Sequence, residues 1–137
     1  MLANGATLEY KKSGATAYTK LEGLKEIPEI GKDPEKVDNT CLEDEVKQYE
    51  NGIGDAGDLT YKFKYENKSA TSPYRLMREL EASGETASFK ETLKDGTVTE
   101  YDAQVSVKRT GGGVNGVIEF NLSMSMQSSD FTITDPA

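Results

Sequence analysis

The chain predicts a mainly β fold, a β-sandwich or barrel-like sheet with one flanking α-helix, and three observations carry that expectation. Apolar and polar residues alternate at period two through residues 59–65, 87–93, 103–107 and 118–126, the pattern of strands with one buried face. Turn pairs such as Ser13-Gly14 and Asp95-Gly96 punctuate the strand-like runs, as hairpins require. Only residues 73–82 combine an apolar helical stripe with start and stop signals at both ends.

Taken in order, residues 7–12 and 17–21 are rich in Thr and Tyr and read as a hairpin across Ser13-Gly14. Residues 26–30 contain Pro28, which places them on a sheet edge or ends a strand there. A short strand over residues 37–42 follows Asp33-Pro34, and residues 43–57 then read as a long polar, Gly-rich loop. Loops of that length inside a small domain are functional or are ordered by a partner. Beyond the loop, Leu59, Tyr61, Phe63 and Tyr65 fall on one face of a strand, with Thr60, Lys62 and Lys64 on the other.

The helix over residues 73–82 is framed by Ser72 as N-cap, Pro73 at the first helical position and Gly84 just past the end. Tyr74, Leu76, Met77 and Leu80 form its stripe, with Arg75, Arg78, Glu79 and Glu81 turned outward. A single helix cannot bury such a stripe alone, so it must lie across a sheet. Residues 87–93 and 97–101 flank Asp95-Gly96, residues 103–107 continue the alternation, and Gly111, Gly112 and Gly113 make a loop. The longest strand points Ile118, Phe120, Leu122, Met124 and Met126 inward and Glu119, Asn121, Ser123, Ser125 and Gln127 outward. Phe131 and Ile133 make a short last strand, and no internal repeat or linker divides the chain, so residues 1–137 read as a single domain.

Composition narrows the function. With 24 acidic and 16 basic residues the formal charge is −8, which argues against gripping a nucleic-acid backbone and permits a surface that DNA slides past. There is no histidine to activate Cys41, the one cysteine, and its sulfur reads as a small buried or half-buried apolar group. No apolar run approaches a membrane span, and the start of the chain lacks a signal-peptide core, so synthesis ends in the cytosol. The acidic residues Glu43, Asp44, Glu45, Asp55 and Asp58 lack the ligand spacing of an EF-hand. The Gly111 to Gly113 loop lacks the ending of a P-loop. Carboxylate pairs alone do not make a glycosidase. No catalytic residue, metal site or cofactor is expected.

The residues from Leu42 onward carry a resemblance. Leu42 to Asp44 (Leu-x-Asp), Tyr49 to Ile53 (Tyr-x-x-Gly-Ile) and Asp55 to Leu59 (Asp-x-Gly-Asp-Leu) follow in the order seen in the major tail, or tail tube, protein of long-tailed bacteriophages. The opening GATLEYKKSGATAYTKLEGLKEIPEI, the stretch SGETASFKETLKDGT and the closing VSVKRTGGGVNGVIEFNLSMSMQSSD resemble the same family. The chain departs from it at Asn51, where the family phrase has Pro, and at Gly54.

That resemblance implies the tail tube protein fold and a structural virion protein that self-assembles into stacked hexameric rings. DNA passes through the tube without specific binding. The implied partners are other copies of the chain and the tail tape measure, tail tip and tail terminator proteins, with no membrane. Leu42, Asp44, Val46, Tyr49, Ile53 and Asp55 are then the candidate ring-contact loop, ordered against a neighbouring subunit with Tyr49 and Ile53 as anchors. Glu119, Asn121, Ser123, Ser125 and Gln127 include no cation, which suits a lumen wall, and an ordinary solvent-facing sheet would look the same. A type VI secretion tube-like protein and a free-standing β-sandwich binding module stand as alternatives.

Overall fold

The computed structural model describes residues 1–31, 33–55, 58–126 and 131–137, with side chains described outside 33–35 and 51–55. Ten strands and one helix are found among them: β1 Thr7–Lys11, β2 Thr19–Leu21, β3 Leu24–Glu26, β4 Asp33–Asp38, β5 Tyr49–Asp55, β6 Asp58–Lys64, α1 Pro73–Ser83, β7 Ala87–Thr92, β8 Val98–Thr110, β9 Glu119–Met126 and β10 Thr132–Thr134. The main sheet runs β2-β1-β7-β8-β9-β6-β3, with β10 also paired to β8, and β4-β5 form a separate two-stranded sheet. Every pairing is antiparallel.

Strand β8 organises the body. Its first half pairs with β7 and its second half with β9, and Ala103 stands in both ladders, opposite Ala87 and Met126. The expected strands at 97–101 and 103–107 are therefore one continuous strand of 13 residues. The sheet curls over its inner face, because the Tyr61 hydroxyl on β6 meets both Tyr101 on β8 and Glu91 on β7. The alternation read from the sequence fills that interior: Leu59, Tyr61 and Phe63 face Phe120, Leu122 and Met124 across the β6-β9 ladder, and all six are buried.

Helix α1 closes the core with Met77 and Leu80 buried and Tyr74 and Leu76 partly buried. An aromatic chain joins it to the sheet, Tyr65 edge-on to Tyr74 at 4.8 Å, Tyr74 edge-on to Phe120 at 5.4 Å, and Phe120 stacked on Phe63 at 5.2 Å. Such ring pairs add stability beyond the area they bury. The helix ends as expected on Gly84 in the left-handed region. Its start differs: Ser72 is the N-cap by position, but its hydroxyl accepts from the amides of Lys68 and Ser69 and leaves the helix amides uncapped. Arg75 is half-buried, donating to Asn67 Oδ1 at 2.8 Å.

Several boundaries move. The strand expected at 26–30 is β3, Leu24–Glu26, and Ile27 and Ile30 pack against the core from irregular backbone. The Asp95-Gly96 hairpin is a turn with Gly96 following at φ 98°, closed by Gly96 N to Leu93 O at 3.0 Å and Leu93 N to Thr97 O at 2.9 Å. That is a three-residue connection with a left-handed Gly.

The largest correction concerns residues 43–57, expected as a loop. Tyr49–Asp55 is a strand, β5, paired with β4 over Asp33–Asp38. The strand expected over 37–42 thus ends at Asp38, with Leu42 in the turn beyond it. A backbone ladder needs only amides and carbonyls, so the polar, Gly-containing sequence of β5 hid a strand that period-two patterning could not reveal.

Candidate functional site

Two regions stand out from the body by geometry, the β4-β5 arm and the outward face of β9. The arm's two strands lie against each other and, among the described residues, make no extended contact with any other element. Its ladder continues past the strand ends, with Asn39 N bonded to Gln48 O at 2.9 Å and Gln48 N to Thr40 Oγ1 at 2.8 Å. Asn39 Nδ2 donates to Glu50 Oε1 at 2.7 Å. At the tip, Asp44 closes a turn: its Oδ2 accepts from Cys41 N at 2.9 Å while its own amide donates to Cys41 O at 3.1 Å. The Cys41 amide, the largest influence, holds the Asp44 carboxyl below the usual range, and bonding from Thr40 does the same for Asp38.

Among the described residues, the apolar side chains of this arm are left uncovered. Leu42, Val46 and Tyr49 are exposed, Leu42 completely, and Val37 is half exposed. Cys41 is also exposed, against the expectation of a buried or half-buried thiol, because the tip lies away from any core. Of the six contact residues read from the sequence, Leu42, Asp44 and Val46 lie in the tip between the strands and Tyr49 opens β5, while the side chains of Ile53 and Asp55 lie outside the described residues. An isolated two-stranded hairpin is marginal in water.

On β9, Phe120, Leu122 and Met124 are buried and Glu119, Asn121, Ser123 and Ser125 point to the other side. Gln127 lies outside the described residues. The neighbouring strands add what the single-strand reading left out. Asn121 stands in register with Lys62 on β6 and Lys108 on β8, so the face as a whole is not free of cations. Glu119 binds Lys25 Nζ at 2.6 Å, and this contact is the main reason its carboxyl lies below the usual range. Lys62 reaches Glu26 at 3.9 Å. Asn121 Oδ1 is buried without a hydrogen-bond partner among the described residues. Toward the other end the face holds no cation: Ser123 lies between Thr60 and Ser106, its Oγ 3.4 Å from Thr60 Oγ1, and Ser125 lies between Asp58 and Gln104.

One polar cluster escaped the sequence reading altogether. Tyr101 donates to Tyr61 Oη at 2.7 Å, and Tyr61 donates to Glu91 Oε2 at 3.1 Å. Burial raises the Glu91 carboxyl above its ordinary range, and the Tyr61 hydrogen bond partly offsets that rise. Both phenols are pushed up, burial again the leading cause. Glu91 sat in an inward position of the 87–93 alternation, which was the signal that could have marked it. No group of three or more possible metal ligands occurs among the described residues, and no helix among them is long and apolar enough to cross a membrane.

The family model described as phage tail tube, TTP, lambda-like matches residues 1–132. Among solved structures, a chain in the tail of an empty GTA particle, computed with helical refinement and C6 symmetry, is similar at TM-score 0.71 and 20% identity, with 98% of each chain covered. A chain of the anti-feeding prophage baseplate, six-fold symmetrised, is similar at TM-score 0.72 and 14% identity, covering 98% of this chain and 95% of that one. A chain of the native gene transfer agent virion is similar at TM-score 0.71 and 16% identity, with 98% of each chain covered. No curated protein matches.

Proposed function

The chain belongs to the lambda-like phage tail tube family, and we propose that it builds its tube as six-membered rings stacked end on end, through which DNA passes without specific binding. The observation that supports this reading is the arm: a body with a filled core holds out a hairpin on which Leu42, Val46 and Tyr49 stand exposed. Six-fold symmetry in the tail of the empty GTA particle and in the anti-feeding prophage baseplate supports the ring size. The role is structural, residues 1–137 act as one tail tube domain, and no catalytic step is assigned to it. Family membership favours a phage tail over a type VI secretion-like tube and over a free-standing binding module.

In this reading Leu42, Val46 and Tyr49 are the subunit contacts, with Asp44 shaping the tip that presents them, and Ile53 and Asp55 belong to the same arm. Ser123 and Ser125 face the lumen, where hydroxyl groups offer phosphates no positive charge, and Glu119 and Asn121 lie at the edge of that wall beside Lys25, Lys62 and Lys108. The tail tape measure, tail tip and tail terminator proteins are the chain's further partners. Sedimentation and negative-stain microscopy over a range of protein concentrations test the assembly: rings and tubes should appear as concentration rises. A monomer at every concentration would overturn it.

A further inference from the structure

A second exposed apolar patch lies at the far end of the sheet from the arm. Turn residues in soluble proteins are mostly small or polar, yet the 111–118 connection between β8 and β9 presents Val114 fully exposed, with Val117 at 65% and Ile118 at 47%. The turn is built to hold that shape. Gly111 has φ 86°, a Cβ there would collide with the Val117 carbonyl oxygen, and Gly116 N donates to Gly113 O at 3.0 Å. Beside it stand Lys108 and Arg109, on opposite faces of the β8 end, and neither forms an ion pair among the described residues. Glu119, the nearest carboxylate on the partner strand, is already engaged by Lys25.

The arm tip is the complement of this patch. Its residues 42–50 combine Leu42, Val46 and Tyr49 with four carboxylates and one lysine. The topology also sets the two apart. The arm leads into Asp58, which pairs with Ser125, whereas the 111–118 turn leads into Glu119, which pairs with Lys64 at the other end of the same ladder. Seven residues of strand separate those ends by about 20 Å, and among the described residues the arm makes no extended contact with the body. Two complementary surfaces at opposite ends of one chain suit a head-to-tail contact, which repeats along an axis when its rotation does not close into a ring.

We propose that the 111–118 turn, flanked by Lys108 and Arg109, is the surface on which the arm tip of a second copy of this chain docks. The proposal rests on the self-assembly reading and names the receiving half of its contact. Apolar residues on both sides exclude water, and the charges set orientation and partner choice.

Cys41, exposed at the tip and the only cysteine of the chain, supplies the probe. Wild-type protein is mixed under mild oxidation with a C41S/V114C variant, and separately with a C41S/S13C variant whose thiol lies on the β1-β2 turn. The expected result is at least tenfold more mixed disulfide with V114C than with S13C. Reversing charge with K108E/R109E in the V114C partner should remove that excess, and E43K/E45K in the wild-type partner should restore it. Tubes under the microscope with no preference for V114C would overturn the docking site and leave assembly standing. Neither tubes nor disulfide would overturn both, and the disulfide without tubes would uphold the docking site while removing the ring reading.

Discussion

The β8-β9 ribbon and the β4-β5 arm are both antiparallel hairpins, but Phe120, Leu122 and Met124 in the first have no exposure at all, while Leu42, Val46 and Tyr49 in the second face solvent. In the ribbon every second residue is apolar and meets the helix or an opposing strand. In the arm the backbone is laddered from Asp33 to Asp38 against Tyr49 to Asp55, while Leu42, Val46 and Tyr49 stay exposed. The difference teaches that hydrogen-bonded strand structure and a buried core are separable. The body is stabilised by its own packing, whereas an isolated two-stranded hairpin such as the arm is marginal in water.

Breaking the body should have the largest effect. Phe120→Ala removes the ring that Phe63 and Tyr74 both pack against, and truncating a buried Phe costs about 3–5 kcal/mol. Urea denaturation should show that loss. A change below about 1 kcal/mol would mean the aromatic chain does not hold the helix to the sheet.

A smaller and pH-dependent loss is expected from Tyr61→Phe, which leaves the Tyr101 hydroxyl and the Glu91 carboxyl each without a buried partner. Unsatisfied buried groups cost about 1–3 kcal/mol. The sign with pH follows from burial raising the Glu91 carboxyl above its unfolded value. A raised carboxyl contributes most below the unfolded value near 4.5 and its contribution is lost as pH rises through the folded value. Because Tyr61 favours the ionised form, the variant should be least stable relative to the parent at neutral pH and closer to it in acid. An unchanged gap from pH 4 to pH 7 would show that Glu91 does not feel the substitution.

The same contrast explains what could be read from the chain alone. Period-two alternation located β6, β7 and β9 because their residues obey the burial of one face, Thr and Tyr content with the Ser13-Gly14 turn located β1, and Gly84 marked the helix end because its backbone conformation favours glycine. The family phrases at Leu42 to Leu59 singled out the arm as functional. Its strand character stayed hidden, since a hairpin without a core carries no burial pattern. The lysines beside Asn121 were invisible for a different reason: they sit 59 residues before it at Lys62 and 13 before it at Lys108, and only the register of three strands brings them together. Glu91 was overlooked because its partners Tyr61 and Tyr101 come from two distant strands.

On the arm, the prediction inverts. Tyr49 is 53% exposed and packs on no core residue, so Tyr49→Ala should change subunit stability by no more than roughly 0.5 kcal/mol, as exposed substitutions do. Tube growth should nevertheless stop, since the lost ring would have been buried only between copies. Hydrogen exchange should agree, with arm amides exchanging faster in the free subunit than in tubes. Tubes of parental length from the variant would remove Tyr49 from the contact, and a large loss of stability would mean that the arm is part of the body after all.

The smallest structural effect should come from the β9 face. Ser123 is half-buried between Thr60 and Ser106, but a lysine there can run its aliphatic stem along the sheet and lift its ammonium into solvent, so Ser123→Lys should cost no more than about 0.5 kcal/mol. If this stretch of β9 lines the lumen, each ring gains a circle of cations on the DNA path. Every cation that meets a phosphate adds affinity that falls with salt through counterion release. Tails should then form at normal length while DNA delivery slows, most strongly at low ionic strength. The lysines already on this sheet sharpen the test, because Lys62 lies near Glu26 and Lys25 is bound to Glu119, whereas Thr60 and Ser106 offer a new ammonium no carboxylate. Delivery equal to the parent at every salt concentration would place Ser123 away from the lumen, and failure to assemble tails would place it at a contact between subunits.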